Sequence, residues 1–376
     1  MAEKKKIIVS VTNDLYTDQR VRKVCEFLVE NNFDVTLVGR KLKDSENLPE
    51  LTYKTKRFKL WFTKGPLFYA TYNLRLFFYL LFHKADVLLS NDLDTLYANL
   101  WARKFKSKCR LIYDSHEYYC GTPELVSRPK IQRFWKRIER RCVPKVDKMY
   151  TVNESIAALY ANEYKREVKV VRNISDAKNA ELTATKKELG LPLDKRIVLM
   201  QGAGINIQRG AEEMVEAIQN IENAVLAIVG HGDVIPQLKE EVKEKQLEEK
   251  VLFFGKRPYA ELMNFTMLSD VGISLDKDTN INYRYSLPNK IFDYIHAGIP
   301  VLVSDLKEIK NIVERYEIGL ICPSHDPKVI AAYLKKMLDN PDLYNRFKEN
   351  TKRAAKELNW ENERKVLEEI FLEKNG

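Results

Sequence analysis

Short apolar segments alternate with longer amphipathic segments along almost the whole chain. The apolar segments Ile7–Val11 and Val35–Val38, for example, are separated by the helical pattern Asp18–Glu30. Strands with continuous apolar sequence are typical of a parallel sheet that is covered by helices on both faces. The alternation therefore predicts an α/β protein built from doubly wound, Rossmann-like units.

The predicted strands fall into two series. The first consists of Ile7–Val11, Val35–Val38, Val87–Ser90, Leu111–Tyr113, Met149–Val152 and Val168–Val171. The second consists of Ile197–Met200, Val225–Val229, Val251–Phe254, Val271–Leu275, Val301–Val303 and Leu320–Cys322. A polar, turn-like sequence beginning at Asn173 separates them. We therefore predict an N-terminal domain at residues 1–172, a linker at 173–195 and a C-terminal domain at 196–357.

The cysteine pattern and the hydropathy indicate the cellular compartment. Five cysteines without a CxxC pair argue against a disulfide framework or a zinc ribbon and favour a reducing environment. The N-terminus lacks the apolar region of a signal peptide, and no uninterrupted apolar run reaches the roughly 18 residues of a membrane span. We therefore expect a cytoplasmic protein.

The positive charge is confined to the N-terminal half. Residues 1–170 contain 33 Lys and Arg against 20 Asp and Glu, whereas the whole chain has a net charge of +10, so the remainder carries −3. Within the basic half, the segment 51–85 has seven Lys or Arg, eleven aromatic residues and no Asp or Glu. Two interpretations stay open for this segment: a Rossmann strand and helix with a basic exposed face, or an interfacial segment that binds an anionic leaflet.

Polar residues follow several predicted strands at the point where each strand ends. Because ligands bind outside the carboxyl ends of parallel strands, we expect these residues of both domains to face a central cleft. Asn13 and Asp14 follow the first strand, and both can form hydrogen bonds with a ligand. The GxGxxG fingerprint is missing there, which argues against an ordinary dinucleotide-dependent dehydrogenase.

Carboxylates gather around a histidine at two further strand ends of the N-terminal domain. Asp92 and Asp94 follow one strand, and Asp114, His116 and Glu117 follow the next. We interpret Asp94 as a helix cap. A cluster of acids with one His can hold sugar hydroxyls or shuttle a proton. A metal site is not favoured, because no second His lies at ligand spacing.

Glycines and cations follow three strands of the C-terminal domain. Gly204 and Arg209 lie in the turn between the first strand and its helix, where glycine lets backbone N–H groups approach a phosphate and arginine supplies a countercharge. The next two strands end in Gly230 and in Gly255 followed by Lys256. Three consecutive strand ends of this kind predict an anion-binding site.

The segment from Ser286 to Val301 is the most specific in the chain. Gly298 is expected to end a helix there. Lys290 and Asp293 are three residues apart and therefore lie on one face near the helix N-terminus. The carboxylate can accept hydrogen bonds from ribose hydroxyls while the ammonium approaches a phosphate; the alternative is a surface ion pair.

On these residues the chain resembles the retaining nucleotide-sugar glycosyltransferases of the two-Rossmann (GT-B) type, in particular glycosyltransferase family four. Leu287–Val301 matches the family's PxK…E…AxGxPV helix, Val229–Asp233 resembles its GxG strand end, and Arg209 with Gly210 resembles its KG turn. The resemblance implies that residues 358–376 form a helix returning to the N-terminal domain. It also implies a nucleotide-diphosphate sugar as substrate, a glycan or polyprenyl-linked acceptor, retention of configuration, and neither metal nor other cofactor.

The resemblance assigns roles to the candidate residues. The expected catalytic residues are His116 and Asp92. The diphosphate of the donor is expected to contact Gly204, Arg209 and Lys290. The ribose and the base are expected to contact Asp293, Gly230, Gly255 and Lys256. The donor sugar or the acceptor is expected to contact Asn13, Asp14, Glu117 and Tyr285.

The sequence departs from the family pattern at two points. Tyr285 stands where the family carries the first of two glutamates, and Asp293 stands at the second. Gly202-Ala203-Gly204 occupies the place of a basic residue after the first strand of the C-terminal domain. These departures concern the contacts to the donor.

The favoured function is synthesis of surface polysaccharide at the inner face of the cell membrane, with residues 51–85 on an anionic membrane surface. Two alternatives remain open. A sugar-nucleotide epimerase or hydrolase of the same architecture would share the diphosphate site. A nucleic-acid-binding protein would be equally basic but would not need the donor-like strand ends, so we expect no nucleic-acid partner.

Overall fold

The computed structural model describes residues 4–16, 18–175 and 181–372. The chain divides into two compact units. The first contains the described residues up to Asn173 and those from Arg364 onward, and the second runs from Ile174 to Glu363. Residues 176–180 of the predicted linker lie outside the described residues. Ile174 and Leu191, which flank them, are buried in the core of the second unit.

The first unit contains a seven-stranded sheet in the order β3-β2-β1-β4-β5-β6-β7, and every neighbouring pair is parallel. Its strands are β1 (Lys5–Asp14), β2 (Phe33–Lys41), β3 (Lys54–Lys59), β4 (Val87–Asn91), β5 (Arg110–Ser115), β6 (Lys148–Thr151) and β7 (Lys169–Val170). Its helices are α1 (Gln19–Glu30), α2 (Gly65–Phe82), α3 (Leu93–Arg103), α4 (Pro123–Val126), α5 (Pro129–Cys142) and α6 (Glu154–Tyr164). The strand order reverses between β1 and β4, so the loops that follow these strands diverge and leave a ligand-binding position between them.

The second unit contains a six-stranded parallel sheet in the order β10-β9-β8-β11-β12-β13. Its strands are β8 (Arg196–Gly202), β9 (Ala224–Gly230), β10 (Val251–Gly255), β11 (Val271–Ser274), β12 (Val301–Ser304) and β13 (Gly319–Cys322). Its helices are α7 (Ala211–Ile218), α8 (Ile235–Glu244), α9 (Tyr259–Met267), α10 (Ile281–Arg284), α11 (Lys290–Ala297), α12 (Lys307–Tyr316), α13 (Pro327–Leu338) and α14 (Pro341–Glu357). Here the order reverses between β8 and β11.

Both faces of the second sheet are covered, as continuous apolar strands require. Along β8, Val198 and Met200 are buried in one hydrophobic cluster, whereas Ile197 and Leu199 are buried in another. Successive side chains of a strand point to opposite faces, so the two clusters lie on the two sides of the sheet. The prediction of two doubly wound α/β units is confirmed.

The helix α15 (Trp360–Phe371) carries the chain from the second unit into the first at Arg364. The ring of Phe371 lies 6.5 Å from the rings of both Phe27 and Phe33. Arg110 donates a hydrogen bond of 2.6 Å to the carbonyl of Ile370. This helix end is therefore part of the core of the first unit.

The segment 51–85 forms the strand β3 and the helix α2. Only Phe58 of β3 is buried, and the strand lies at the edge of the sheet. The segment therefore belongs to the first Rossmann-like unit, and its binding to an anionic leaflet stays a prediction.

Candidate functional site

In the second unit, Arg209 lies at the reversal of strand order. It ends the loop after β8, and Asp276 follows β11, the neighbouring strand. The Arg209 guanidinium donates to the Asp276 carboxylate at 2.6 Å and lies 4.3 Å from the ring centre of Tyr283. Asp276 is only 1% exposed. The ion pair and the ring fix the guanidinium at the carboxyl edge of the sheet.

Lys290, the first residue of α11, adds a second cation to this cluster. Burial lowers the pKa of Lys290, the nearby Arg209 lowers it further, and Asp276 opposes both. Across residues 4–16, 18–175 and 181–372, no hydrogen bond or ion pair holds the Lys290 ammonium. Two cations thus share one carboxylate that is already bound to Arg209. The cluster, which we call the cation edge, has an excess of positive charge suited to an anion.

Glycines permit the close approach of two loops beside the cation edge. A Cβ on Gly230 would lie 1.9 Å from the carbonyl oxygen of Gly202, so the loop after β9 needs glycine to pack against the end of β8. A Cβ on Gly204 would instead make an ordinary contact, 3.8 Å from the nearest atom. Gly255 ends β10 with a φ of +66°, and Lys256 after it is exposed. The expected contacts of these residues with a donor stay predictions.

Asp293 is buried and bound by protein donors. Its carboxylate accepts hydrogen bonds from Gln201 at 3.0 Å, from the Tyr259 hydroxyl at 2.9 Å and from the Ser175 hydroxyl. Burial raises the pKa of Asp293, and these donors oppose the rise. Both carboxylate oxygens have protein partners, and the ribose contact stays a prediction. Tyr285 lies one residue after α10, with the Lys307 ammonium 5.7 Å from its ring centre.

In the first unit, His116 lies between two carboxylates. Its ring nitrogen Nδ1 is 3.4 Å from Asp92, and Nε2 is 3.3 Å from Asp114 and 3.3 Å from the Asn91 amide oxygen. The backbone N–H of His116 donates to Asp92 at 2.9 Å. Burial lowers the pKa of His116, but the charges of Asp92 and Asp114 outweigh it and raise the pKa to about 9. The imidazole is therefore a cation at neutral pH.

A buried ion pair anchors this cluster, which we call the acid edge. Arg20 binds both oxygens of Asp114, at 3.0 and 2.8 Å, and donates to the carbonyl of Val171 at 2.9 Å. Burial raises the pKa of Asp114, but Arg20 and then His116 lower it to about 2. Asp114 thus stays ionised and holds the His116 ring. From the sequence alone, its position at a strand end is equally compatible with substrate binding.

The backbone of Asp92 is strained. Its φ of 56° and ψ of 166° fall in a region that is nearly restricted to glycine and costs about 1–3 kcal/mol. Asp92 is the N-cap of α3, although its side chain makes no capping hydrogen bond. The strain turns the carboxylate toward His116 instead of toward the helix.

The prediction that Asp94 caps the helix is wrong, because Asp92 occupies that position. The Asp94 side chain is buried and accepts a hydrogen bond of 2.6 Å from Thr12, while its other oxygen has no hydrogen-bond partner among the described residues. Burial and the charge of Asp92 raise the pKa of Asp94 to about 7. Asp94 therefore holds a proton much more readily than an exposed aspartate.

The remaining candidates of the first unit are Asn13, Asp14 and Glu117. The Asp14 carboxylate accepts from Ser45 and lies 3.4 Å from Arg57. The Asn13 amide lies 3.4 Å from Asp18, and Glu117 is exposed beside His116. Their expected contacts with a donor sugar or an acceptor stay predictions.

Solved structures share this architecture over nearly the full chain. Sucrose-phosphate synthase (tll1590) from Thermosynechococcus elongatus aligns with a TM-score of 0.81 at 17% identity, covering 98% of each chain. Anabaena Alr3699/HepE in complex with UDP-glucose aligns with a TM-score of 0.73 at 13% identity, covering 98% of this chain and 99% of that one. These likenesses show the fold: two Rossmann-like domains of the GT-B class.

Two family models cover most of the chain. Residues 18–178 match the model described as Glycosyltransferase Family 4, and residues 182–354 match the one described as Glycosyl transferases group 1. The chain therefore belongs to the glycosyltransferases that these two models describe, in agreement with the resemblance of its motifs.

The curated relatives are distant. The lipopolysaccharide core biosynthesis glycosyltransferase LpsD of Rhizobium meliloti (strain 1021) is 25% identical over 49% of this chain and 51% of its own length. The uncharacterized glycosyltransferase MJ1069 of Methanocaldococcus jannaschii is 20% identical over 79% of this chain and 77% of its own. The chain spans about half the length of LpsD. It spans a similar or smaller share of several other curated relatives.

Among the described residues, no helix combines the length and the apolar composition of a transmembrane span. The same residues contain no group of three or more His, Cys, Asp or Glu side chains arranged to hold a metal ion.

Proposed function

We propose that this chain transfers a sugar from a nucleotide-diphosphate donor to a glycan or lipid-linked acceptor during surface-polysaccharide synthesis. The observation that carries the proposal is the cation edge, where half-buried Lys290 lies beside Arg209 without an anionic partner of its own among the described residues. A diphosphate supplies the missing negative charge. The names of relatives such as LpsD, and the UDP-glucose bound to HepE, support this choice of substrate.

In the proposed reaction, the bond between the anomeric carbon and the diphosphate breaks, and a bond to an acceptor hydroxyl oxygen forms. Arg209 and Lys290 stabilise the negative charge on the departing diphosphate, so the proposal needs no metal. The acceptor proton passes to a diphosphate oxygen. The new bond forms on the face that the diphosphate leaves, so the configuration is retained.

The acid edge of the first unit supplies fixed charges in this proposal. Because the pKa of His116 is about 9, its ring is protonated at neutral pH and is not a general base. Its ring nitrogens face Asp92, Asp114 and Asn91, so it holds the Asp92 carboxylate in place. We assign the positioning role to His116 and the contact with a sugar hydroxyl to Asp92.

We further place the chain at the cytoplasmic face of the membrane. Leu67, Leu74, Phe78 and Phe82 are exposed and lie on one face of α2, since their spacings are seven, four and four residues. Trp61, just before this helix, is 97% exposed. The segment 51–85 contains no acid, and an apolar stripe with only basic neighbours fits an anionic lipid surface.

The donor site is tested by calorimetric titration with UDP- and GDP-sugars. Lys290→Ala should weaken binding of whichever donor the wild type binds by about tenfold or more, because it removes a charge-assisted contact with the diphosphate. Lys310→Ala is the matched control, since Lys310 is an exposed lysine paired with Asp305 in the same unit. Equal affinity in the wild type and Lys290→Ala would contradict the assignment.

Product analysis separates the alternatives. Release of free sugar or an epimerised donor without an acceptor identifies a hydrolase or epimerase, whereas a glycosylated acceptor identifies the transferase. Binding to duplex DNA but not to donors favours the nucleic-acid-binding alternative.

The membrane surface is tested by cosedimentation with phosphatidylglycerol vesicles. Phe82→Ser should reduce binding severalfold, and added salt should reduce binding of the wild type. Leu193→Ser alters an apolar residue of the second unit that is 71% exposed and should leave binding unchanged. If Phe82→Ser and Leu193→Ser sedimented with the vesicles to the same extent, α2 would not be the membrane-binding surface.

A further inference from the structure

The helix α5 presents four cations on one face. Arg133, Lys136, Arg137 and Arg140 have the spacing i, i+3, i+4 and i+7, which places them along one side of a helix. They line a cavity of about 330 Å³. The opposite side of the helix is buried through Trp135. We call this cavity the α5 groove.

The positive charge of the α5 groove is only partly balanced. Lys136 lies 2.5 Å from Glu139 and 2.6 Å from Glu163, and Arg140 lies 3.8 Å from Glu163. Two carboxylates thus face four cations, and both are bound closely to Lys136.

Among the described residues, the two remaining arginines have no carboxylate partner. Arg133 donates to the carbonyl of Pro129 at 3.3 Å. Arg137 has neither a hydrogen bond nor an ion pair within the described residues. The groove therefore has an excess of about two positive charges, and guanidinium groups bind phosphate oxygens in a bidentate manner.

The groove is connected to the loop that carries His116. The Lys136 ammonium donates to the hydroxyl of Tyr118, two residues after His116, at 3.1 Å. Gln132 of the same helix donates to the carbonyl of Cys120 at 2.8 Å. The α5 groove and the acid edge are thus positioned by the same loop after β5.

An apolar side chain flanks the cations on α5. Phe134 directly follows Arg133 and is 54% exposed. Its position on the helix turns it away from the groove-lining face by roughly 110°. A ligand with a charged head and an apolar chain can contact both surfaces.

From these observations we propose that the α5 groove binds the diphosphate of a lipid-linked acceptor, with the lipid chain passing over Phe134. This inference rests on the proposed function, since it names the class of acceptor that the sugar reaches. The diphosphate matches the excess charge of the groove, and the connection through Tyr118 sets the acceptor beside the acid edge.

The test is calorimetric titration of the full chain with farnesyl diphosphate and, separately, inorganic pyrophosphate, in the presence of excess UDP and GDP to occupy the donor site. The double variant Arg133→Gln, Arg137→Gln should bind both probes about tenfold or more weakly than the wild type. The control Lys328→Gln, Lys335→Gln removes two exposed charges from α13 and should bind as the wild type does. Circular dichroism verifies that both variants are folded.

The groove variant is also tested for cosedimentation with phosphatidylglycerol vesicles. Three results would overturn the proposal: no binding of farnesyl diphosphate to the wild type, equal binding of farnesyl diphosphate to the wild type and the groove variant, or a loss of binding by the groove variant that is seen only with the vesicles. The last would make the groove part of the general membrane surface. Because these titrations need no donor turnover, their outcome is separate from the proposed function. Failure of donor binding with intact farnesyl diphosphate binding would contradict only the proposed transfer.

Discussion

The acid edge of the first unit and the cation edge of the second both lie at the carboxyl ends of strands near the point where the strand order reverses. The cation edge lies at β8 and β11, the two strands at the reversal, whereas the acid edge lies at β4 and β5, next to the reversal between β1 and β4. The first gathers carboxylates around His116, whereas the second gathers Arg209 and Lys290 around Asp276. The fold thus provides the position of a site, and the residues at the strand ends decide which charge it binds.

The two edges also differ in how they balance charge. At the acid edge, Arg20 and His116 neutralise most of the buried carboxylates, so the cluster is held by its own ion pairs. At the cation edge, the Asp276 carboxylate lies near two cations and pairs with Arg209, so the charged form of Lys290 is destabilised. The first arrangement stabilises the protein, and the second favours binding of an anion.

The largest effect that this comparison predicts is on stability. Arg20→Ala leaves the Asp114 carboxylate buried without its main partner and should lower the free energy of unfolding by about 3–5 kcal/mol. Arg22→Ala, on the same helix, removes an exposed pair with Glu26 and should cost less than about 1 kcal/mol. Urea denaturation measures both. Similar losses would show that burial does not distinguish the two pairs.

The pH dependence of stability sharpens the same contrast. The pKa of His116 is about 9 in the folded state, above the ordinary value of 6.5, so protonation stabilises the fold. This contribution is complete below pH 6.5 and is lost as the pH rises through 9. The stability difference between wild type and His116→Gln should therefore shrink by up to about 3 kcal/mol between pH 6 and pH 10. A constant difference in urea denaturation would contradict the ionised state of His116.

The cation edge should affect catalysis and not folding. Lys290→Ala should lower kcat/KM for sugar transfer by about 100-fold, roughly 2.7 kcal/mol, because the leaving diphosphate loses a stabilising charge. The thermal unfolding midpoint should stay the same or rise, because burial destabilises the charged ammonium and the substitution removes it. Activity assays and calorimetry on the same samples check both. A large drop in the midpoint would make Lys290 a structural residue.

The smallest predicted effect comes from the backbone of Asp92. Glycine adopts a φ of 56° without strain, whereas alanine does not. Asp92→Gly should therefore be more stable than Asp92→Ala by about 1 kcal/mol, although both lack the carboxylate that binds His116. Urea denaturation of the pair gives the difference. An alanine variant of equal or greater stability would show that the strain is absent.

The sequence predicts the fold well because its strands are continuous apolar segments. The exception is β3, a basic edge strand in which only Phe58 is buried, so it has no apolar pattern to detect. Asp276 could have been identified, since it directly follows the predicted strand Val271–Leu275, just as Arg209 follows an earlier one.

Other parts of the site could not be predicted from one sequence. The ion pair between Arg20 and Asp114 joins residues 94 positions apart, and no local pattern encodes such a contact. The error at Asp94 has a different cause. Which of two neighbouring aspartates caps a helix depends on the backbone dihedrals, and the left-handed φ of Asp92 moves the start of α3.

The helix end at residues 364–371 has a consequence for biosynthesis. Its Phe371 packs on Phe27 and Phe33, and its Glu369 pairs with Lys169 at 2.7 Å. A ribosome makes the seven strands of the first sheet long before it makes this helix. The aromatic surface of the nascent first domain therefore stays uncovered while about 190 further residues are translated. The first domain becomes complete only after the second unit has been synthesised.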